Sequence, residues 1–177
     1  KDGAGYTAIF APPGATYIDI RGIDAAGRVY GNYRDSAAAV HGFVKDGAAY
    51  TVIDSPGATY IEIRGIDAAG RVYGSYWDAA DVAHGFVKDG AVYTVIEQPG
   101  ATNTEIVGID AAGRIYGRYR DAASNYHVFV KDGANYITID DRPGAAGTDI
   151  YSVNASGQFY GDYFVDDENG WRYYVVR

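Results

Sequence analysis

Gly65-Ile66-Asp67-Ala68-Ala69-Gly70-Arg71-Val72-Tyr73-Gly74 decides how this chain is read. The same ten residues recur nearly unchanged at Gly22 to Gly31 and at Gly108 to Gly117, and a divergent fourth copy runs from Ser152 to Gly161. The copies are spaced by 43, 43 and 44 residues, a period that marks an array of supersecondary units. Around the decamer, each repeat holds four short runs rich in Tyr, Val, Ile, Thr and Phe. In one full repeat these are His41 to Val44, Tyr50 to Ile53, Thr59 to Ile66 and Arg71 to Trp77. Apolar and polar residues alternate within the runs, as in Ile61 and Ile63 against Glu62 and Arg64, which predicts half-buried strands. The joints are Asp-Gly, Pro-Gly and Asp-Ala-Ala-Gly, all turn chemistries. In the last, Asp67 can bond the turn backbone while Gly70 takes a positive φ. No segment has the apolar spacing and caps of a helix.

Four strands in about 43 residues is the size of one β-propeller blade. The expected fold is therefore all-β: a single four-bladed β-propeller over 1–177, with about four antiparallel strands per blade. Its sequence repeats run at about 1–44, 45–87, 88–130 and 131–177. The first copy lacks its His-Gly-Phe-Val strand, and the chain ends in Tyr173-Tyr174-Val175-Val176-Arg177, read as an extra copy of it. Pairing of that strand with Tyr6 to Phe10 would close the ring and leave no long free edge. An open solenoid would instead need a cap at each end.

The pattern Gly-Ile-Asp-x-x-Gly-Arg-Val-Tyr-Gly, then His-Gly-Phe-Val, then Tyr-Thr-x-Ile resembles the bacterial extracellular repeats of the HAF family, and Asn154 restores that family's Asn. The likeness spans all four repeats. It implies an extracellular or cell-surface β-repeat protein and supplies no catalytic residues.

Composition narrows the function classes. Eighteen Tyr stand among 177 residues, twelve of them supplied three per repeat. A net charge of −8 argues against nucleic acid, whose phosphates need a basic surface. No run of about 18 apolar residues spans a membrane. Cysteine is absent, so disulfides, thiolate metal sites and cysteine nucleophiles are excluded. Lys1 is not an initiator, which points to a piece of a longer chain.

Asp19, Glu62, Glu105 and Asp149 recur at one position of every third strand. If those strands line the axis, four carboxylates ring a central channel and hold a cation. Oxygen ligands suit Ca²⁺ or Mg²⁺. The plainer reading is local pairing with Arg21 and Arg64, two residues on. His41, His84 and His127, with Tyr173 counted as the fourth copy, each follow an Asp by six residues (Asp35, Asp78, Asp121). Such a pair could be a base and its orienter, or a hydrogen bond within one blade. Asp24, Asp67, Asp110 and Asn154 read as turn residues. Scaffold positions are copied, whereas Arg34, Trp77, Arg120 and Phe164 differ from repeat to repeat, as do the loops beyond them, including Tyr126. Those five are the candidate ligand-binding residues, since variable loops on a rigid scaffold carry binding.

The first functional reading is thus a secreted, non-catalytic module presenting loops to a glycan or protein, with a channel cation. The alternatives are a purely structural unit of a larger extracellular protein, and a lyase, isomerase or hydrolase with a His/Tyr/carboxylate site at one channel end. Internal symmetry weighs against an enzyme, which needs different groups in different places. An enzyme would place one asymmetric cleft at departures such as Trp77, Arg118, Tyr126 and Tyr151.

Overall fold

A computed structural model describes residues 8–139, 145–165 and 171–176. Among the described residues there are fifteen strands and no helix. They form four separate antiparallel meanders. The first holds β1 (Tyr17–Ile23), β2 (Val29–Arg34), β3 (Val40–Asp46) and β4 (Ala49–Ile53). The second holds β5 (Tyr60–Ile66), β6 (Val72–Trp77), β7 (Ala83–Asp89) and β8 (Val92–Ile96). The third holds β9 (Asn103–Ile109), β10 (Ile115–Arg120), β11 (Tyr126–Asp132) and β12 (Asn135–Ile139). The fourth has three described strands, β13 (Ala145–Val153), β14 (Phe159–Val165) and β15 (Trp171–Val176). Each of the first three sheets thus takes three strands from one sequence repeat and its last strand from the next. Sheet boundaries fall inside the repeats counted from the sequence.

Turn chemistry fixes the hairpins. At the repeated decamer, Asp67 Oδ1 accepts from the amides of Ala69 (3.0 Å) and Arg71 (2.8 Å), and Oδ2 accepts from Arg71 Nε at 2.6 Å. Gly70 sits at φ 86°, where a side chain would be strained. Asp24 and Asp110 repeat this arrangement, and Asn154 reproduces its backbone bonds. The next hairpin loop is built the same way: Asp35, Asp78 and Asp121 each accept from two amides of their own loop. The first three variable loops therefore share one backbone design.

The first strand of each later sheet lies across the middle two strands of the sheet before it: β5 on β2 and β3, β9 on β6 and β7, β13 on β10 and β11. These first strands also meet in succession, β1 with β5, β5 with β9, and β9 with β13. The strand carrying the repeated carboxylates is thus the one through which successive sheets meet. Ile63, Ile106 and Ile150 are buried at 0, 0 and 1% exposure. Gly42 and Gly85 make room for two of them: an added Cβ would come within 2.6 and 2.8 Å of the Ile63 and Ile106 side chains. In the third seam Val128 stands where those glycines do and packs with Ile150. Phe43, Phe86 and Phe129 are fully enclosed. Burial of each such side chain contributes about 1.5–3 kcal/mol, so the seams hold the molecule together.

Tyr30, Tyr73 and Tyr116 pack into the first, second and third seams. Tyr33, Tyr76 and Tyr119 face the opposite way. The fourth copies behave differently. Tyr160 is 49% exposed, and β1 leaves Ile20 at 46%. Among the described residues no sheet closes on itself, and the expected pairing of the last strand with Tyr6 to Phe10 falls partly on residues outside the described set. One expectation is corrected. β15 pairs with β14 so that Tyr174 stands opposite Gly161, as Phe43 stands opposite Gly31. Arg172, rather than Tyr173, then takes the histidine position opposite Tyr163. The interval from glycine to its aromatic partner is one residue longer here, and the sequence count missed the shift.

Candidate functional site

Asp19, Glu62, Glu105 and Asp149 occupy one register position on β1, β5, β9 and β13, the first strands of the four sheets. Their cross-strand partners are Asn32, Ser75, Arg118 and Asp162. The carboxylates meet in pairs through arginines. Arg21 bonds Asp19 and Glu62, both at 3.1 Å, and Arg64 adds a second contact to Glu62 at 3.1 Å. Arg118 bridges Glu105 (2.9 Å) and Asp149 (2.7 Å). Local pairing by Arg21 and Arg64 is as the plainer sequence reading had it. Arg118 was singled out only as a departure from consensus. Its signal was its place after the invariant glycine, facing the repeated acid across the hairpin. Burial works against the Arg118 charge, but Glu105 and Asp149 outweigh it and hold the guanidinium firmly charged. Burial also raises the Asp149 carboxyl above its ordinary range, with Arg118 opposing and Asp162 adding to the shift. Among the described residues, no three His, Asp or Glu side chains converge as a metal centre would need.

The cross-strand partners also sew the seams. Asn32 donates to the Ile61 carbonyl at 2.6 Å and accepts from the Ile63 amide at 3.2 Å. Ser75 Oγ accepts from the Ile106 amide at 3.1 Å. Arg118 reaches Asp149 in the next sheet. Asp162, in the same place, accepts a bond from the Tyr151 hydroxyl through Oδ2, while its Oδ1 is buried without a partner.

Each histidine stays within its own sheet. His41 is held between Asp54 at Nδ1 (2.9 Å) and Asp35 at Nε2 (3.3 Å), and stacks on Tyr33 at 4.9 Å. His84 is held between Glu97 (2.6 Å) and Asp78 (3.4 Å), stacked on Tyr76. His127 bonds Asp121 at 3.2 Å and stacks on Tyr119. The sequence had the six-residue Asp-His pairing; Asp54 and Glu97 were missed, although each directly follows its strand. Burial disfavours the His41 charge, but the bonds to Asp54 and Asp35 prevail and raise its pKa. The two bonds also fix the orientation of the His41 ring.

Arg34, Trp77, Arg120 and Phe164 lie at matching positions near the ends of β2, β6, β10 and β14, opposite Tyr17, Tyr60, Asn103 and Gly147. Trp77 meets Tyr60 edge-on at 5.2 Å. Arg118 and Arg120 both lie over the Tyr126 ring, at 5.3 and 4.6 Å. Arg34 lines a cavity of about 110 Å³ between the first and second sheets, with Tyr17, Asp19, Asn32, Val40 and Tyr60. The structure thus unites Arg34 with Asp19, one of the expected metal ligands, and places Trp77 and Arg120 in other sheets. Tyr17 and Tyr60 were not selected from the sequence, though both precede the repeated acid by two residues. Comparison with protein-family models and with curated proteins finds no match to this chain.

Proposed function

We propose that the chain is a closed four-bladed β-propeller and a secreted, non-catalytic module that binds glycans at the end of the innermost strands where Arg34, Trp77 and Arg120 lie. The cavity between the first two sheets carries this reading. It combines the tyrosines Tyr17 and Tyr60 with a carboxylate, an amide and a guanidinium from Asp19, Asn32 and Arg34. Aromatic faces beside planar polar groups suit the apolar faces and paired hydroxyls of a sugar ring. The enclosed histidines, each bound to carboxylates of its own sheet, favour a binding protein over an enzyme.

Closure is supported at the start of the chain. Ile9 packs against Val29, Tyr33 and Phe43. Ile53 and Ile96 pack in the same way against the sheets that follow them. Ile9 thus stands where the last strand of a preceding blade delivers its isoleucine. The HAF-like repeat pattern supports an extracellular or surface location.

A glycan array probed with the wild-type chain and with Tyr60→Ala and Arg34→Ala tests the reading. Loss of one aromatic or one charged contact is expected to weaken binding about tenfold or more. Silence of the wild type across the array, or binding that neither substitution changes, would overturn it.

A further inference from the structure

The arginines of this chain fall into two groups. Among the described residues, Arg21, Arg28, Arg64, Arg71, Arg114 and Arg118 are each ion-paired with a carboxylate, at distances between 2.6 and 3.1 Å. Arg34 and Arg120 make no ion pair among those residues. Asp and Glu outnumber Lys and Arg by 23 to 15, so carboxylates are not in short supply. The two unpaired guanidinia also share one place in the repeat. The invariant glycines Gly31, Gly74, Gly117 and Gly161 are followed at once by Asn32, Ser75, Arg118 and Asp162, and at the third place by Arg34, Trp77, Arg120 and Phe164. Arg34 is thus the last residue of β2, and Arg120 the last of β10.

Each of the two stands beside an aromatic ring. Arg34 is opposite Tyr17 in the strand register and lines the cavity with Tyr17 and Tyr60. Arg120 is opposite Tyr126, and its guanidinium lies 4.6 Å from the centre of that ring. Its Nε is buried with no acceptor among the described residues. Arg118 lies over the same ring at 5.3 Å, but Glu105 and Asp149 already balance its charge. Two guanidinia therefore share the Tyr126 ring, and only one of them has counter-charges. A buried N–H without an acceptor is costly, and an oxygen supplied by a ligand would recover that cost. The planar fork of a guanidinium matches a carboxylate with two parallel hydrogen bonds.

We propose that the glycans bound by this chain are acidic, and that Arg34 and Arg120 each pair with the carboxylate of a uronic-acid residue. This rests on the glycan-binding reading above and names the class of sugar. Tyr17 and Tyr60 offer ring faces to the apolar side of the sugar while Arg34 takes its carboxylate. Asp19 lines the same cavity and can accept a sugar hydroxyl. Its charge is answered by Arg21 at 3.1 Å, so the cavity tolerates an anion. Trp77 holds the same place in the second sheet and meets Tyr60 edge-on, which gives uncharged surface between the two arginine positions in the repeat order. A chain of net charge −8 repels a densely sulfated polymer, whereas one carboxylate per sugar asks for only one cation at each site.

The test is an array of glucuronic, galacturonic and mannuronic acid oligosaccharides. Each is printed beside its carboxyl-reduced form, together with neutral and sulfated glycans. The wild-type chain should bind at least one uronate series, about tenfold or more tighter than the reduced form. This comparison uses the unaltered protein, so it does not depend on how any variant folds. Arg34→Gln and Arg120→Gln should each weaken uronate binding about tenfold, and the double variant should bind uronate and reduced forms alike. Both single variants should melt within about 2–3 °C of wild type, because neither side chain holds an ion pair in the fold. Equal binding of uronates and their reduced forms would overturn the acidic specificity and leave glycan binding standing. Stronger binding of sulfated glycans would overturn the choice of carboxylate. A uronate preference that survives in the double variant would overturn the assignment to Arg34 and Arg120. A wild-type chain silent on every glycan would overturn this inference together with the reading on which it rests.

Discussion

Arg118→Met removes the positive charge that, among the described residues, bridges Glu105 of the third sheet and Asp149 of the fourth, while keeping an unbranched, apolar side chain in place. Glu105 and Asp149 are left facing each other with side chains only 10 and 15% exposed. Removing one partner of a fully buried ion pair costs about 3–5 kcal/mol. Arg118 retains some solvent contact and can be partly replaced by water, so about 2–3 kcal/mol is the expected loss at pH 7. Urea unfolding followed by tyrosine fluorescence measures it. The loss should depend on pH with a definite sign. Asp149 already has a raised pKa in the folded state, because burial outweighs the help of Arg118. A carboxyl with a raised folded pKa gives stability that is present at low pH and lost as pH rises through that value. Without Arg118 the shift grows, so the deficit of the variant should shrink as pH falls toward about 4, the ordinary carboxylate range. Adding Glu105→Gln and Asp149→Asn should restore most of the stability at pH 7, since no buried charge is then unpaired. A variant within about 0.5 kcal/mol of wild type at pH 7, or a deficit that ignores pH, would refute the bridging role.

Other outcomes follow from the same geometry. Ile63→Ala should cost about 2–5 kcal/mol in chemical unfolding, and Ile20→Ala should cost the same if the ring closes; a cost for Ile20 below 1 kcal/mol would place β1 in water. His41→Gln should be less stable than wild type below about pH 6.5, with the difference vanishing as pH rises through the raised His41 pKa; thermal melts from pH 5.5 to 9 would show a flat difference if the Asp35–His41–Asp54 clamp were inert. Gly74→Ala would drive a methyl group into the Glu62 carbonyl oxygen, so a loss of about 3 kcal/mol or more is expected, seen as a lowered urea midpoint.

Much of the architecture was legible because turn chemistry is local. Asp67 and Gly70 announce a hairpin through their own bonds and φ, and the alternation of Ile61 and Ile63 with Glu62 announces a strand buried on one face. The carboxylates were legible as a set for the same reason: they keep one place in a repeated frame. Their partners were less so. Arg118 acts across a seam between sheets, and nothing in a single repeat says which sheet lies beside which. Asp54 and Glu97 close their histidines from a neighbouring strand, thirteen residues away in sequence. The misread histidine position at Arg172 came from a register shift in a hairpin whose loop is longer than its siblings, where periodicity no longer counts residues correctly.

The unlike residues after the four glycines bear on how the chain avoids misassembly. Tandem copies this similar invite a sheet to dock on the wrong neighbour during folding, a known hazard of repeat proteins. Here the wrong order has a chemical penalty. If the first sheet settled on the fourth, Asn32 would meet Asp149 where Arg118 belongs, and a buried carboxylate would lose its counter-charge. If the third settled on the second, Arg118 would compete with Arg21 for Glu62 and be lost to Asp149. One variable position per repeat thus acts as an address, spelling out in side-chain charge the order in which otherwise interchangeable sheets must be assembled.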